Sequence, residues 1–183
     1  MTQTKFPSFN PIPPQPDAQP SNPPFPSFPV LGSGGGFLTT NLHVEVFRTA
    51  AFTVANTFVF VTVPWDTLET GVISPSPLIN LTTGVFTCPI PGIYDVRCFL
   101  IFSTATAGSI GVELNKNGSP WHRIGTAYSG TGNPAANGAG KARCAAGDTL
   151  AISVGQNTAT NPASLFTGSD LCWAAFAYAG PLN

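Results

Sequence analysis

Residues 84 to 96, Gly84-Val-Phe86-Thr-Cys88-Pro89-Ile-Pro91-Gly92-Ile-Tyr94-Asp-Val96, constrain the fold of this chain more than any other stretch. Two runs of β-favouring residues meet there at a corner. Pro89 and Pro91 stiffen the corner and donate nothing to a ladder. Gly92 allows a backbone turn that a side chain would obstruct. Phe86 anchors the end of the first strand in a core, and Tyr94 points to the face opposite Ile93 and Asp95. The unit reads as strand, corner, strand.

The same grammar continues along the chain. Leu42 to Phe47 and Phe52 to Val54 read as short strands, and Phe58 to Val63 as a longer one rich in β-formers. Val96 to Phe102 is an apolar strand. Ser109 to Leu114 is another, running into Asn117-Gly118, a hairpin signal because both positions tolerate positive φ. Turn signals recur at Pro75 and Pro77, Gly147-Asp148 and Asn161-Pro162, and no stretch carries sustained helical periodicity. Gly125 to Gly140 is small, polar and glycine-rich, which predicts a surface loop with Tyr128 as its only aromatic. Trp173 to Tyr178 reads as the closing strand, its alanines leaving room for close neighbours.

Four of these segments, in order, carry a family resemblance. Gly84 to Val96 resembles the "G-x-F-T-C-P-x-P-G-x-Y-x-F" signature of the globular heads of complement component C-one-q, a family that shares its trimeric jelly roll with the tumour necrosis factor ligands. Asn115-Lys-Asn117-Gly118 resembles its "K-N-G" turn. Ala145 to Val154 resembles "L-x-x-G-D-x-V-x-V", and Ser164 to Leu171 resembles the closing "S-T-F-S-G-x-x-L". Val96 stands where the family usually has Phe, and no equivalent of the family's internal cysteine pair is visible. The resemblance implies an all-β, ten-strand, two-sheet jelly-roll sandwich from about residue 44 to 179, assembled as a homotrimer. By the same analogy, Phe60, Tyr94 and Phe176 are candidates for the inner sheet near the threefold axis. The calcium site of some members rests on acidic loop residues that have no counterpart here.

Only 8% of residues are charged, against roughly 25% in ordinary soluble proteins. The surface must therefore be polar but uncharged, hidden in an oligomer, or both. A net charge of −1 with singly scattered Lys and Arg argues against nucleic acid, which demands clustered cations. The opening Met1-Thr-Gln-Thr-Lys5-Phe-Pro has no apolar core of the kind an export signal needs, and no run reaches membrane-spanning length. Cys88, Cys98, Cys144 and Cys172 lie in or beside predicted strands without metal-ligand spacing. They are expected as buried, reduced thiols, with a structural disulfide as the minority reading for a chain without an export signal.

Residues 1 to 31 are a different material, followed by a glycine-rich hinge and lead-in over 32 to 43, with the jelly roll taking 44 to 183. Ten of the 19 prolines fall between Pro7 and Pro29, so the segment should be extended, largely polyproline II. Phe6-Pro-Ser-Phe9 recurs as Phe25-Pro-Ser-Phe28, starting 19 residues later. That spacing is about 60 Å at polyproline II rise. Phe6, Phe9, Phe25 and Phe28 read as anchors of a tether that inserts aromatic rings into pockets of a partner, and Gly32 to Gly36 as its swivel.

Catalytic constellations are missing from the pattern. The two histidines, His43 and His122, have no metal-ligand spacing, and the eight carboxylates are dispersed. No enzymatic activity, cofactor or metal is expected. The combination of a poorly charged trimeric domain and an anchoring arm points to a structural protein of a virus particle, a bacteriophage above all. It would be a head fibre, a capsid decoration protein or a short tail-fibre component, assembled in the host cytoplasm. Its partners would be capsid or tail proteins bound by the arm, and host-surface glycan met by the Tyr128 loop. The alternative is a cell-surface or spore-coat adhesin whose loops bind a receptor or glycan. A secreted signalling ligand is a third class, disfavoured by the opening residues.

Overall fold

The computed structural model describes residues 42–69, 78–103, 108–129, 133–158 and 163–182. The chain divides into two units, Met1–Gly35 and Gly36–Asn183. All described strands belong to the second, while the arm anchors and the glycine hinge lie outside the described residues.

Thirteen strands and no helix occur among the described residues: β1 (His43–Phe47), β2 (Phe52–Val54), β3 (Val61–Thr62), β4 (Thr67–Leu68), β5 (Ile79–Asn80), β6 (Val85–Thr87), β7 (Gly92–Ile101), β8 (Gly108–Lys116), β9 (Ser119–Ser129), β10 (Ala135–Cys144), β11 (Thr149–Gln156), β12 (Ala163–Leu165) and β13 (Cys172–Gly180). A five-stranded sheet runs β10-β7-β13-β1-β4, and a second runs β5-β6-β11-β8-β9 with β3 also pairing β11. The small β12-β2 ribbon stands beside them. Every pairing within these three sheets is antiparallel. The expected ten strands become thirteen because several are pieces of two or three residues.

Alternation builds the core. On β7, Tyr94, Val96, Cys98 and Leu100 are buried, while Asp95, Arg97 and Phe99 face the other way. Val44, Val46, Ala174 and Phe176 extend the buried layer of that sheet, and Phe86, Ile110, Val112, Leu114, Leu150, Ile152 and Val154 supply the facing one. An aromatic stack joins the two layers. Phe86 lies flat on Phe176 with centroids 5.0 Å apart and meets Tyr94 edge-on at 5.8 Å. Tyr94 is fixed by its hydroxyl, which donates to the Ile90 carbonyl at 2.8 Å. This contact ties the core to the Pro-Gly corner.

The predicted hairpin at Asn117-Gly118 connects β8 to β9, with φ of 51° and 76°. Asp148 closes the turn after β10 as a backbone-bonding turn residue should: its carboxylate accepts from Ala145 N–H at 2.8 Å and from Asn117 Nδ2 at 2.9 Å. Asn117 also donates its backbone N–H to the Thr149 carbonyl.

Two expectations are corrected. The run Phe58 to Val63 is not one strand. Only Val61 and Thr62 pair, and Phe58 sits at φ 53° with its N–H bonded to Gln156. The segment is a strap that runs along the edge of β11, with Val63 N–H bonded to the Ile152 carbonyl and the Phe60 ring turned over the outer face of the second sheet. Nor is Gly125 to Gly140 a loop: its ends are the close of β9 and the start of β10. A Cβ on Gly125 would stand 2.2 Å from the Asn137 carbonyl oxygen, and one on Gly138 would meet Cys98 and Ile124 under 3 Å. The small residues are there because β9 and β10, from different sheets, approach too closely for side chains.

Candidate functional site: the outer face of the five-stranded sheet

The same alternation that buries Tyr94 turns a second set of side chains outward. Cross-strand register aligns them in rows. Phe47 of β1 lies opposite Trp173 of β13, which lies opposite Phe99 of β7. All three are half-buried. The next row is Glu45, Ala175, Arg97 and Ala139, and the one beyond is His43, Ala177, Asp95 and Lys141. An apolar band at one end therefore gives way to a band of mixed charge over a floor of alanine. His43, Asp95, Arg97, Ala175 and Ala177 line an open depression on this face. Within one chain, Lys141 Nζ stands 3.6 Å from Asp95 and His43 Nε2 stands 3.4 Å from Glu45.

The residues proposed from sequence for a subunit interface do not lie here. Tyr94 and Phe176 are completely enclosed within a single chain, so neither has surface to offer a neighbour. They occupy the inward parity of β7 and β13. Phe60 belongs to the other sheet. It rests on a glycine platform, Gly111 opposite Gly155, where a Cβ on Gly111 would come within 2.7 Å of its ring. Arg123 stacks over it at 4.7 Å and pairs with Glu113 at 2.9 Å. The outward row Phe47, Trp173 and Phe99 was not among the sequence candidates. The signal was present in period two: Asp95 and Arg97 cannot both face a core, so Phe99 must share their side of β7.

Tyr128 is 83% exposed, but it stands on β9 opposite Ser109 rather than on a loop. Trp121, on the same edge strand, is 45% exposed, with Lys116 Nζ 5.3 Å from its ring centroid. Trp65 is a core residue.

Two of the carboxylates, Asp148 and Asp66, are engaged in structural roles. Asp148 is held down to about 2 by hydrogen bonds from Asn117, from Ala145 N–H and from Lys116. Burial pushes the Asp66 carboxyl up, but donors from Thr49, Ala50 and Thr67 outweigh it and leave the group below its ordinary range. Beside it, Arg48 is buried and bonds the carbonyls of Ala50 and Pro64. These groups fasten loops to the sandwich.

No protein-family model and no curated protein sequence matches the chain. Solved structures do. Eiger TNF from S. frugiperda superposes with a TM-score of 0.55 at 12% identity, over 78% of this chain and 95% of that one. Murine APRIL superposes with a TM-score of 0.54 at 13% identity, over 75% and 98%. The globular domain of zebrafish complement 1qA matches at a lower TM-score of 0.48, with 18% identity over 74% and 93%. At such identities the likeness to the first two establishes the fold. The domain is a jelly-roll sandwich of the tumour necrosis factor type.

Proposed function

We propose that this protein is a non-enzymatic homotrimer that serves as a structural component of a virus particle. It would be a bacteriophage head fibre, capsid decoration protein or short tail-fibre component, assembled in the host cytoplasm and held to the particle by its Pro/Phe-rich arm. One observation carries the trimer: the outer face of the five-stranded sheet joins the Phe47–Trp173–Phe99 row to a band with both charge signs. Burying that row in a neighbouring copy removes three large apolar side chains from water. Glu45 and Asp95, with Arg97 and Lys141, give a rotated copy charges to pair with. Such a surface, used heterologously, closes into a ring when the rotation is 120°. The virion role is supported by the arm, whose repeated Phe-Pro-Ser-Phe anchors on a stiff backbone suit attachment to successive subunits of a shell.

The second reading, an adhesin, is favoured by Trp121 and Tyr128, two exposed aromatic rings on one edge strand that suit stacking on sugar. Sedimentation of the intact chain at micromolar concentration should return a trimer, and Trp173→Arg a folded monomer. A monomeric parent protein overturns the assembly. Deleting residues 1 to 31 should leave the trimer intact and abolish incorporation into particles. Normal incorporation of the truncated protein overturns the role of the arm.

A further inference from the structure

The four cysteines are free thiols, all buried, and the fold sorts them into two pairs of different geometry. Cys98 of β7 and Cys172 of β13 sit on adjacent strands but out of register, Cys98 facing Ala174 and Cys172 facing Leu100. Diagonal positions of this kind stand roughly 7–8 Å apart, beyond the usual reach of about 4.4–6.8 Å between bridged Cα atoms. Closing that pair requires one strand to slide along the other.

Cys88 and Cys144 are placed differently. Cys88 follows β6 in the second sheet, and Cys144 ends β10 on the edge of the five-stranded sheet. The turn after Cys144 clasps Cys88 by both its backbone groups. Gly147 N–H donates to the Cys88 carbonyl at 2.8 Å, and Cys88 N–H donates to the Asp148 carbonyl at 2.8 Å. The same turn is braced by Asp148 on Ala145 N–H. Cys144 is thus carried to Cys88 from the opposite layer, close enough for the two thiols to influence each other.

We propose that Cys88 and Cys144 are a redox site, a pair that forms a disulfide stapling one sheet to the other, while Cys98 and Cys172 remain thiols. Both sulfurs of the pair are shut away from solvent. Burial pushes the Cys88 thiol far above the ordinary range, and Cys144 upward as well. Thiolate is the reacting species, so the folded reduced protein resists oxidation. The bond closes only where the chain folds with a low-molecular-weight disulfide as oxidant, so the pair stays reduced in a protein folded in the reducing cytoplasm and bridges in one folded or refolded outside it. One cysteine thiolate attacks oxidised glutathione and expels a glutathione thiolate. The other attacks the protein-side sulfur of the mixed disulfide and expels the second. Two protein thiols lose two protons and two electrons, and one glutathione disulfide becomes two glutathiones.

The test is to refold the full chain at mildly alkaline pH in a reduced and oxidised glutathione mixture, alkylate it, and cleave with trypsin and an Asp-specific protease. Cleavage before Asp148 and Asp170 separates Cys144 from Cys172, giving fragments 144–147 and 170–183. The expected product is fragment 66–94, which holds Cys88, joined to fragment 144–147, with Cys98 and Cys172 alkylated. Oxidised protein should melt roughly 5–15 °C above reduced protein. Cys172→Ala should keep that difference and Cys144→Ala lose it. Four alkylated cysteines after refolding, or Cys98 or Cys172 in the bridge, overturns the proposal. The peptide map of the parent protein decides even where a variant does not fold.

Discussion

Replacing Phe176 separates a core role from an interface role. The side chain is wholly enclosed, opposite Val44 and Val96 on its flanking strands, and its ring stacks on Phe86 with an interplanar angle of 7°. Phe176→Ala removes a complete ring from the seam between the sheets. Buried Phe→Ala changes cost about 3–5 kcal/mol, a large fraction of the roughly 5–15 kcal/mol that holds a domain together. At about 2–4 °C per kcal/mol for a chain of this size, Tm should fall by roughly 6–20 °C. The stacked partner adds a second, sharper number. Paired with Phe86→Leu in a double-mutant cycle, Phe176→Leu should show a coupling of about 0.5–1.5 kcal/mol.

The assay is urea unfolding followed by the fluorescence of Trp65, Trp121 and Trp173. One fixed protomer concentration is needed, because association raises apparent stability by mass action. Sedimentation on the same samples gives the assembly state. Phe176→Leu should lower the midpoint without changing the sedimentation coefficient. A variant that dissociates while its unfolding midpoint stays within about 0.5 kcal/mol of the parent would refute the reasoning, because the ring would then face a neighbouring copy.

The Asp148 carboxylate makes acid stability a readout of the turn at residues 145–148. Its folded pKa, about 2, lies below that of a free aspartate, so its contribution is complete above the unfolded value and fades as pH falls through 2. The urea midpoint should therefore drop between about pH 5 and 2. Asp148→Asn should drop less, with the remaining slope carried partly by Asp66, whose carboxyl is also lowered. Gly84→Ala should cost roughly 2–4 kcal/mol by thermal melting, since Gly84 has φ +71° and its added Cβ would stand 2.0 Å from the Val63 carbonyl oxygen. A Tm unchanged within 2 °C or so would mean that the strap carrying Val63 moves aside at little cost.

Local chemistry made part of this fold legible. Asn117-Gly118 can be read as a hairpin because the two-residue turn needs positive φ at both positions, and the corner at Pro89 to Gly92 can be read because proline and glycine act through their own backbones. Gly125 to Gly140 was opaque for the opposite reason. Small residues suit a solvated loop and a tightly packed strand pair equally. What decides between them is Ile124, whose side chain lies within 3.0 Å of where a Cβ on Gly138 or Gly140 would be. That contact crosses between sheets and leaves no trace in the local pattern. The candidate face was half legible. Period two assigns Phe99 and Arg97 to one side of β7, but only the pairing register brings Phe47 and Trp173 into line with them.

Which sheet would face a neighbour in the proposed trimer follows from what already covers each one. The outward positions of β11 in the second sheet, Ala151, Ser153 and Gly155, are buried without any partner chain. Ser153 is bonded by Thr62 at 3.1 Å and by Asn115 Nδ2 at 2.7 Å, and the Phe60 ring lies on Gly155. The strap thus supplies from the same chain what an interface would otherwise supply, and Arg123 with Glu113 seals its rim with charge. A second copy docking there would have to displace Phe60 and expose two glycines. On the five-stranded sheet, Trp173 is only half-buried among the described residues, and the outward alanines at 175 and 177 allow another backbone to approach closely. If the strap is what directs assembly to the first sheet, Phe60→Ser should loosen the second sheet and leave the stoichiometry of the proposed trimer unchanged. Dissociation of the trimer by this change alone would place the interface on the strap face instead.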